Sequence, residues 1–439
     1  MKTQDKIPTT KVARATEFVK TGVKIGGNYV KHFAKRLVDS SISNDALHEA
    51  NAEDIYNSLS QLKGSALKIA QMMSIDRSML PKAYKNKFQM AQYSAPPLSG
   101  PLVVKTFQKY FGKSPQQLFD SFELNAENAA SIGQVHVAYK NGNKLAVKVQ
   151  YPGVADSISA DLKMVKPFAV KLLGLNESDV NNYTSEVEER LLEETDYFLE
   201  LKRSMEISEA CSHIPNLIFP KYYPELSCER VLTMDWMKGM HLKDFLNTNP
   251  SQQVRDQIGQ ALWDFYSFQI HTLKQVHADP HPGNFLMNEN GTVGIIDFGC
   301  IKVIPEKFYE PYFLMVNPYV REDEVTKEKL FFDLEILKED DTEKDKKFFT
   351  GIFTSMSELV TRPFQSDTFD FGNDDYFNEI YALGETLSKT KEIKESKVAR
   401  GSRHTLYINR TYFGLYNILN DLKANIFITK PAWLLEKVY

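Results

Sequence analysis

The chain has 439 residues, long enough for more than one domain, and its 53 basic and 57 acidic side chains give a net charge of −4. This balance excludes the bulk electrostatic binding of nucleic acid, which needs a strongly basic surface. The three cysteines, at positions 211, 228 and 300, are too widely spaced for a disulfide framework or a zinc site, and no apolar run reaches the roughly 18 residues of a membrane span.

Residues 1–45 form a basic leader. Residues 1–37 hold nine Lys/Arg against two acidic residues, a balance of +7, so the remainder of the chain carries −11. Apolar residues recur there at helical intervals, although glycines at positions 22, 26 and 27 are expected to weaken or break the helix. Such a helix is a candidate to lie on an anionic membrane surface, and a helix packed on the protein with a solvated basic face is the alternative. We therefore predict a cytoplasmic protein, with peripheral membrane contact through residues 1–40 as one alternative. The apolar residues are Val12, Ala15, Val19, Val23, Val30, Phe33 and Leu37.

Residues 46–110 are predicted to form a helical extension. Within it, Lys68-Ile-Ala-Gln71 places Lys68 and Gln71 three residues apart, and therefore on one face of a helix. Further on, Ser94-Ala-Pro-Pro-Leu-Ser-Gly-Pro101 is rich in turn-forming residues and predicts a break before the next domain.

Residues 111–237 are predicted to form a small β-rich lobe. Val135–Tyr139 and Lys144–Gln150 are typical of strands, and Asn141-Gly142 supplies the tight turn between them. Taken alone, Lys148 in the second strand would be a solvated edge residue. Its position well before the motifs of the next lobe makes it a candidate to bind nucleotide phosphates.

Two further segments of this lobe carry candidate nucleotide ligands. Asn128–Gln134 lies where a phosphate-binding loop belongs, but alanine and serine replace most glycines, so Cβ atoms limit how closely its amides approach a phosphate. Arg230–Met237 is typical of a strand leading into a hinge whose backbone binds an adenine edge. The candidates in the two segments are Ala129, Ala130, Ser131, Ile132, Gly133, Asp235, Trp236 and Met237.

Residues 238–439 are predicted to form a larger, mostly helical lobe that holds the most informative motif, His277-Ala-Asp-Pro-His-Pro-Gly-Asn284. Asp279 precedes Asn284 by five residues, and Asp297, which opens an Asp-Phe-Gly turn, follows it by thirteen. This spacing is typical of the phosphoryl-transfer site of a protein kinase. Asp279 is then the catalytic carboxylate, while Asn284 and Asp297 supply the hard oxygens that Mg²⁺ prefers.

Three motifs together resemble the UbiB/AarF family of atypical protein-kinase-like proteins: Ala129-Ala-Ser-Ile-Gly-Gln-Val-His136, His277–Phe285 and Asp297-Phe-Gly299. Members of this family carry an Ala-rich loop and are tied to ubiquinone and related isoprenoid-lipid metabolism. The resemblance implies an α+β, bilobal protein-kinase-like fold. It has a small β-rich nucleotide lobe, a larger helical lobe and an N-terminal helical extension packed over the active site.

The resemblance extends to the helical extension. Lys68 and Gln71 match the family's Lys-x-Gly-Gln signature, although Ala70 stands where the motif has glycine. In this family the Lys-x-Gly-Gln helix and a second helix with a Glu-x-Asp signature close over the region where a protein kinase accepts its peptide. The implication is that this chain hydrolyses nucleotide while ordinary protein phosphorylation is suppressed.

A second signature of the family, Glu-x-Asp, appears as Glu194-Thr-Asp196. Glu200 then matches the helix glutamate that pairs with the nucleotide-lobe lysine, here Lys148. Asp196 and Glu200 are i, i+4 neighbours, which predicts one acidic helix face directed at the lysine. The alternative is a solvated acidic face, which such charge runs commonly form.

The implied function is an atypical kinase-like ATPase that binds ATP or ADP with Mg²⁺ and supports isoprenoid quinone or related lipid metabolism, with isoprenoid lipid as a candidate partner. The candidate catalytic residues are Asp279, Lys148, Lys68 and Gln71. One alternative is a small-molecule phosphotransferase of the aminoglycoside-kinase type, which uses a similar His-x-Asp-x₄-Asn loop. Another is a non-catalytic, nucleotide-gated binding module. The sequence names neither a phosphate acceptor nor an oligomeric state.

Overall fold

The computed structural model describes residues 11–38, 45–62, 98–129, 132–173, 184–185, 188–189, 191–390 and 400–436. The chain divides into two compact units, the first comprising Met1–Lys202 and Lys221–Trp236 and the second Arg203–Pro220 and Met237–Tyr439. The predicted domain boundaries at residues 45, 110 and 237 stay predictions.

Helices dominate the described residues, and short strands lie between them. The α-helices are α1 (Lys11–Val38), α2 (Asp45–Leu62), α3 (Gly100–Phe111), α4 (Pro115–Leu118), α5 (Val154–Leu173), α6 (Tyr197–Ala210), α7 (Leu242–Asn247), α8 (Gln252–Phe268), α9 (Glu306–Leu314), α10 (Pro318–Glu322), α11 (Glu324–Asp333), α12 (Glu343–Thr361), α13 (Asp374–Lys389) and α14 (Arg403–Leu422). The strands are β1 (Ser121–Phe122), β2 (Asn128–Ala129), β3 (Gly133–Lys140), β4 (Asn143–Gln150), β5 (Leu217–Ile218), β6 (Val231–Asp235), β7 (Gln275–His277), β8 (Phe285–Met287), β9 (Val293–Ile295), β10 (Ile301–Val303), β11 (Thr368–Asp370) and β12 (Asn425–Phe427).

The first unit is built on a five-stranded antiparallel sheet in the order β1–β3–β4–β6, with β2 also paired to β3. Strands β3 and β4 form the hairpin expected from the sequence. Asn141 and Gly142 have φ values of 51° and 78° at its turn. Two consecutive positive φ angles are what a two-residue hairpin turn of the type I′ class requires, and the Asn-Gly pair supplies them.

Alternation along β4 gives the sheet two different faces. Leu145, Val147 and Val149 are buried in a core that includes Phe107 of α3. Lys148 points to the opposite face because side chains alternate along a strand. A second apolar cluster, drawn from α6, β6 and the segment before β6, lies in the same unit and has Ala146 packed against it.

Helix α1 is joined to α2 and α5 by buried polar contacts. Arg14 Nε and Nη2 lie 2.6 and 2.5 Å from the two carboxylate oxygens of Asp161 on α5, and Arg14 Nη1 donates to Leu62 O at 2.8 Å. Arg14 is 3% exposed and Asp161 is fully buried. Thr21 donates to Ser58 of α2 at 2.5 Å. The N-terminal helix is therefore anchored within the first unit.

The orientation of α1 differs from the packed alternative, in which the apolar residues would be buried. The helix runs unbroken through the glycines at positions 22, 26 and 27, so the predicted break is wrong. Four apolar residues of the stripe face solvent and are 66–71% exposed, while polar residues occupy the buried face with Ile25. The exposed residues are Val19, Val23, Val30 and Phe33, and the buried polar ones are Arg14, Thr21 and His32.

The second unit has a helical core around α8 and α14. Trp263 of α8 and Tyr416 of α14 are buried with their ring planes within 13° of each other. Gly259 allows close packing of α8, because a Cβ placed on it would lie 2.6 Å from the Cβ of Ala424. In the described residues no helix has the length and apolar character needed to cross a membrane.

Small sheets in the second unit frame the loops that carry the predicted catalytic motif. Strand β7 pairs antiparallel with β10, and β9 pairs with β8 and with β5. Residues 278–284 therefore connect β7 to β8, and residues 296–300 connect β9 to β10. Strands anchor both ends of each loop.

Candidate functional site

The first unit holds the predicted ion pair between Lys148 and Glu200. Lys148 Nζ lies 2.7 Å from Glu200 Oε1, and the Glu200 side chain is only 1% exposed. The same Nζ lies 5.1 Å from the centroid of the Tyr197 ring, within cation–π range. A carboxylate buried this deeply needs a cationic partner, so the pair fixes the lysine above one face of the sheet.

The segment before Glu200 is a helix cap. Leu199 N donates to the Asp196 carboxylate at 3.0 Å, and Glu200 N donates to Asp196 O at 2.9 Å, as at the N-cap of a helix. Asp196 is exposed and Glu194 is buried. Asp196 thus caps the N-terminus of helix α6, the helix that carries Glu200 to Lys148. Nucleotide-binding roles for Glu194 and Asp196 stay predictions.

Two residues that the sequence reasoning missed hold this cap in place. Gln150 Nε2 and Arg230 Nη1 both donate to the carbonyl oxygen of Thr195, at 3.0 and 2.7 Å. Gln150 is 1% exposed at the end of β4. A glutamine at the end of a strand with alternating apolar residues was the available signal, because a buried amide needs hydrogen-bond partners.

The Ala-rich loop is described only at its two ends. Ala129 closes β2 and pairs with Gln134, while Ile132 is buried and Gly133 begins β3. A Cβ on Gly133 would lie 2.8 Å from Val149 O and 2.9 Å from Tyr197 Oη. Glycine is therefore needed there for packing against β4 and α6. Lys68, Gln71, Ala130 and Ser131 lie outside the described residues, and their roles stay predictions.

In the predicted hinge segment, the Asp235 side chain and the Trp236 backbone N–H already have hydrogen-bond partners within the first unit. The Asp235 carboxylate accepts from Tyr223 Oη at 2.8 Å, and Trp236 N donates to Lys144 O at 3.0 Å. Lys144 Nζ also lies 4.2 Å from the Trp236 ring centroid. An adenine edge would have to bind other backbone groups. Met237 begins the main part of the second unit, so its predicted role is separate from the contacts of Asp235 and Trp236.

In the second unit, the loop between β7 and β8 brings Asp279 and Asn284 together. Asn284 Nδ2 donates to Asp279 O at 2.9 Å and to the Asp279 carboxylate at 3.3 Å. His281 N also donates to Asp279 O at 2.7 Å, and Gly283 N donates to the His281 imidazole at 3.0 Å. These bonds fold the loop around Asp279, and His281 helps to order it.

A backbone bond joins this loop to the Asp-Phe-Gly turn. Ile296 N donates to Asn284 O at 3.1 Å, directly before Asp297. Within the turn, Gly299 N donates to the Asp297 carboxylate at 2.9 Å. The two predicted metal ligands are thereby held in one hydrogen-bonded framework.

His277, the last residue of β7, is buried directly before the loop. Its backbone N donates to Gln269 Oε1 at 3.0 Å, and its Nδ1 lies 3.2 Å from Tyr266 Oη. Burial lowers the pKa of His277, against the raising influence of Asp279 and Asp297. Gln269 belongs to a π-helical turn over Gln269–Leu273, a geometry that is frequent at functional sites.

The oxygen donors fit Mg²⁺ that is bound together with phosphate. Mg²⁺ takes one or two protein ligands and completes its octahedron with water and substrate phosphates. In the part of the chain that the structure describes, no cluster of three or more His, Cys, Asp or Glu could hold a metal ion by itself. Asn284 directs its amide nitrogen at Asp279, which turns its Oδ1 to the other side. An amide and a carboxylate oxygen are the right donor chemistry for this ion.

The model of the ABC1 atypical kinase-like domain matches residues 90–330, which is more than half of the chain. The chain belongs to the ABC1 atypical kinase-like family. The matched region contains the Lys148–Glu200 pair, the Asp279–Asn284 loop and Asp297. The suspected UbiB/AarF resemblance is confirmed, and the aminoglycoside-kinase alternative is not favoured.

Curated ABC1 relatives cover most of the chain. A probable serine/threonine-protein kinase, abkA, of Dictyostelium discoideum is 26% identical over 96% of this chain and 78% of its own length. The mitochondrial atypical kinase COQ8B of Danio rerio is 29% identical over 95% of this chain and 67% of its own. The mitochondrial atypical kinase COQ8 of Saccharomyces cerevisiae is 28% identical over 70% of this chain and 62% of its own.

A solved structure supports the fold. The chain is similar to Rv3197 of Mycobacterium tuberculosis, determined in complex with erythromycin, with a TM-score of 0.59 and 24% identity over 88% of this chain and 95% of that one. The predicted α+β, kinase-like fold class is confirmed.

Proposed function

We propose that this ABC1 chain is a Mg²⁺-dependent atypical kinase-like ATPase that binds ATP or ADP. The observation that carries the proposal is the hydrogen-bonded framework of Asp279, Asn284 and Asp297. A pure scaffold has no chemical need for a carboxylate, an amide and a second carboxylate on two loops that a backbone hydrogen bond joins. The ion pair between Lys148 and the buried carboxylate of Glu200 supports the same function.

Each residue has a distinct proposed role. Lys148 supplies a point charge to the nucleotide phosphates, and Glu200 holds its ammonium group in place. Asn284 and Asp297 hold Mg²⁺, which would neutralise the charge of the phosphates when bound. Asp279 accepts the proton of the attacking hydroxyl or water, or orients that group for attack.

Substitution of Asp297 by Asn tests nucleotide binding. In a thermal-shift titration, Mg²⁺-nucleotide at a hundredfold excess over its Kd should stabilise the wild type by about 2.7 kcal/mol. The variant should lose most of that stabilisation, because a neutral amide holds Mg²⁺ more weakly. Asp340→Asn, at an exposed position, is the matched control and should respond like the wild type. An equal shift in all three proteins would place the nucleotide elsewhere.

We further propose that the activity supports isoprenoid quinone or related lipid metabolism. Membership of the ABC1 atypical kinase-like family and the similarity to proteins named COQ8 support this proposal. Nothing in the described site selects between a lipid-linked acceptor and water. The proposal therefore concerns the pathway and leaves the acceptor open.

We propose that α1 contacts an anionic membrane surface. Its exposed apolar stripe (Val19, Val23, Val30 and Phe33) lies beside exposed lysines at positions 20, 24, 31 and 35. The opposite face is anchored by the Arg14–Asp161 pair, so the stripe is presented from a folded unit. Apolar residues flanked by lysines are the pattern of an interfacial helix.

The variant Val23→Glu/Phe33→Glu should lower co-sedimentation of the whole chain with anionic vesicles, because it adds negative charge to the stripe. Each basic residue near the surface contributes about 1 kcal/mol, so binding of the wild type should weaken as salt rises. Val325→Glu, at a position 79% exposed in the second unit, is the control. Equal sedimentation of all three proteins would contradict the membrane proposal.

A further inference from the structure

Helix α14 approaches the catalytic loop so closely that only glycine fits at the contact. A Cβ placed on Gly414 would lie 2.3 Å from Pro280 Cγ, 3.0 Å from Pro280 Cβ and 3.3 Å from Pro280 O. Non-bonded carbons prefer separations of about 3.5–4.0 Å. Any larger residue at position 414 must move either the helix or the loop.

On the loop side of this contact, Pro280 is rigid. The pyrrolidine ring of Pro280 is closed onto its own backbone, so it cannot rotate away as a flexible side chain would. Pro280 is bonded directly to Asp279, whose carbonyl oxygen accepts from Asn284 Nδ2 at 2.9 Å and from His281 N at 2.7 Å. A displacement of Pro280 is therefore transmitted to Asp279 and Asn284.

The helix side is held by buried packing on either side of Gly414. Leu415, Tyr416 and Leu419 are fully buried, and Tyr416 Oη donates to Val360 O at 2.9 Å. Nearer its start, Tyr407 lies under Lys302 of β10, with Nζ 4.6 Å from the ring centroid. A helix packed in this way is displaced less easily than the loop, so a larger residue at position 414 should move the loop.

We infer that Gly414 is a positioning residue for the catalytic loop: by admitting Pro280 against α14, it sets the placement of Asp279. Helix α14 lies beyond residue 330, where the match to the ABC1 model ends, so no motif of the matched region contains this residue. The effect on turnover rests on the proposed ATPase function, whereas the effect on loop placement does not.

The test compares two helical glycines that differ only in their surroundings. Gly414→Ala and Gly351→Ala should gain the same helix propensity, but a Cβ on Gly351 in α12 meets nothing within 4 Å. We expect Gly414→Ala to lower kcat for phosphate release by about 10- to 100-fold, since small misplacements of catalytic groups cost that much. The KM for nucleotide should stay within about twofold, and Gly351→Ala should match the wild type.

Two further measurements separate positioning from general damage. Pro280→Ala in the Gly414→Ala background removes the colliding Cγ, so it should recover part of the lost kcat. Amide hydrogen exchange over residues 278–285 should be faster in Gly414→Ala than in Gly351→Ala, and this readout needs no activity. Wild-type kcat and exchange in Gly414→Ala would overturn the inference, as would a loss that Pro280→Ala does not relieve. If the wild type releases no phosphate, the proposed function fails, and the exchange comparison still decides the positioning.

Discussion

Asp279→Asn is expected to lower the rate of Mg²⁺-dependent phosphate release by about 10²–10⁴-fold, the usual contribution of a positioned acid–base group. Asparagine has nearly the same shape and keeps an oxygen to accept the Asn284 amide, which bonds to the Asp279 carboxylate at 3.3 Å. The substitution therefore removes the basic carboxylate while the loop keeps its hydrogen bonds. Steady-state phosphate release at saturating nucleotide measures the effect.

Asp340→Asn serves as the control for this loss, and thermal unfolding of Asp279→Asn should match that of the wild type. Phosphate release that persists in the combined variant Asp279→Asn/Lys148→Ala would reveal a contaminating enzyme or a different site. The pathway proposal is tested with the same allele. A strain carrying only Asp279→Asn should show the quinone and precursor profile of a deletion strain, and a wild-type profile would contradict a catalytic role in that pathway.

Arg14→Met should destabilise the first unit by about 3–5 kcal/mol, because it removes a bidentate guanidinium contact from the buried carboxylate of Asp161. The two side chains form a bidentate pair 147 residues apart in sequence, with the carboxylate fully buried. Ser157 Oγ also donates to Asp161 at 3.2 Å, and this neutral hydrogen bond does not replace the charge of the guanidinium. Urea unfolding followed by circular dichroism measures the change.

Arg362→Met is the matched control. Arg362 makes a bidentate pair with Glu379, but the two side chains are 40% and 52% exposed. An exposed ion pair is worth about 0–1 kcal/mol, so this variant should unfold close to the wild type. Equal losses of unfolding free energy in the two arginine variants would show that burial does not determine the strength of the Arg14–Asp161 pair. The double variant Arg14→Met/Asp161→Leu should recover stability, since an apolar pair leaves no buried charge.

The hairpin and the family could be predicted from the sequence because local residue patterns carry both. Asn141-Gly142 fixes its turn by backbone preference, and alternating apolar residues fix which face of β4 is buried. The order and spacing of Asp279, Asn284 and Asp297 carried the family and the phosphoryl-transfer interpretation. Only the structure could supply the bonds that join them.

The leader helix shows what local pattern cannot reveal. Its apolar stripe fitted either a membrane surface or packing on the protein, and only the structure shows that Arg14 and Thr21 are buried, with hydrogen-bond partners distant in sequence. Asp161, which neutralises Arg14, has no local signal that links the two. Similarly, Gly133 was assigned to a phosphate loop, whereas its lack of a side chain is required by Val149 and Tyr197.

The burial of Glu200 has a consequence for the choice of an inactive control. A lysine-to-alanine change at position 148 would remove the partner of a carboxylate that is 1% exposed. Such a protein would lose fold stability as well as the proposed phosphate contact, so low activity or low abundance in a cell would have two causes. Lys148→Met combined with Glu200→Gln removes both charges together and is the cleaner reference for genetic experiments.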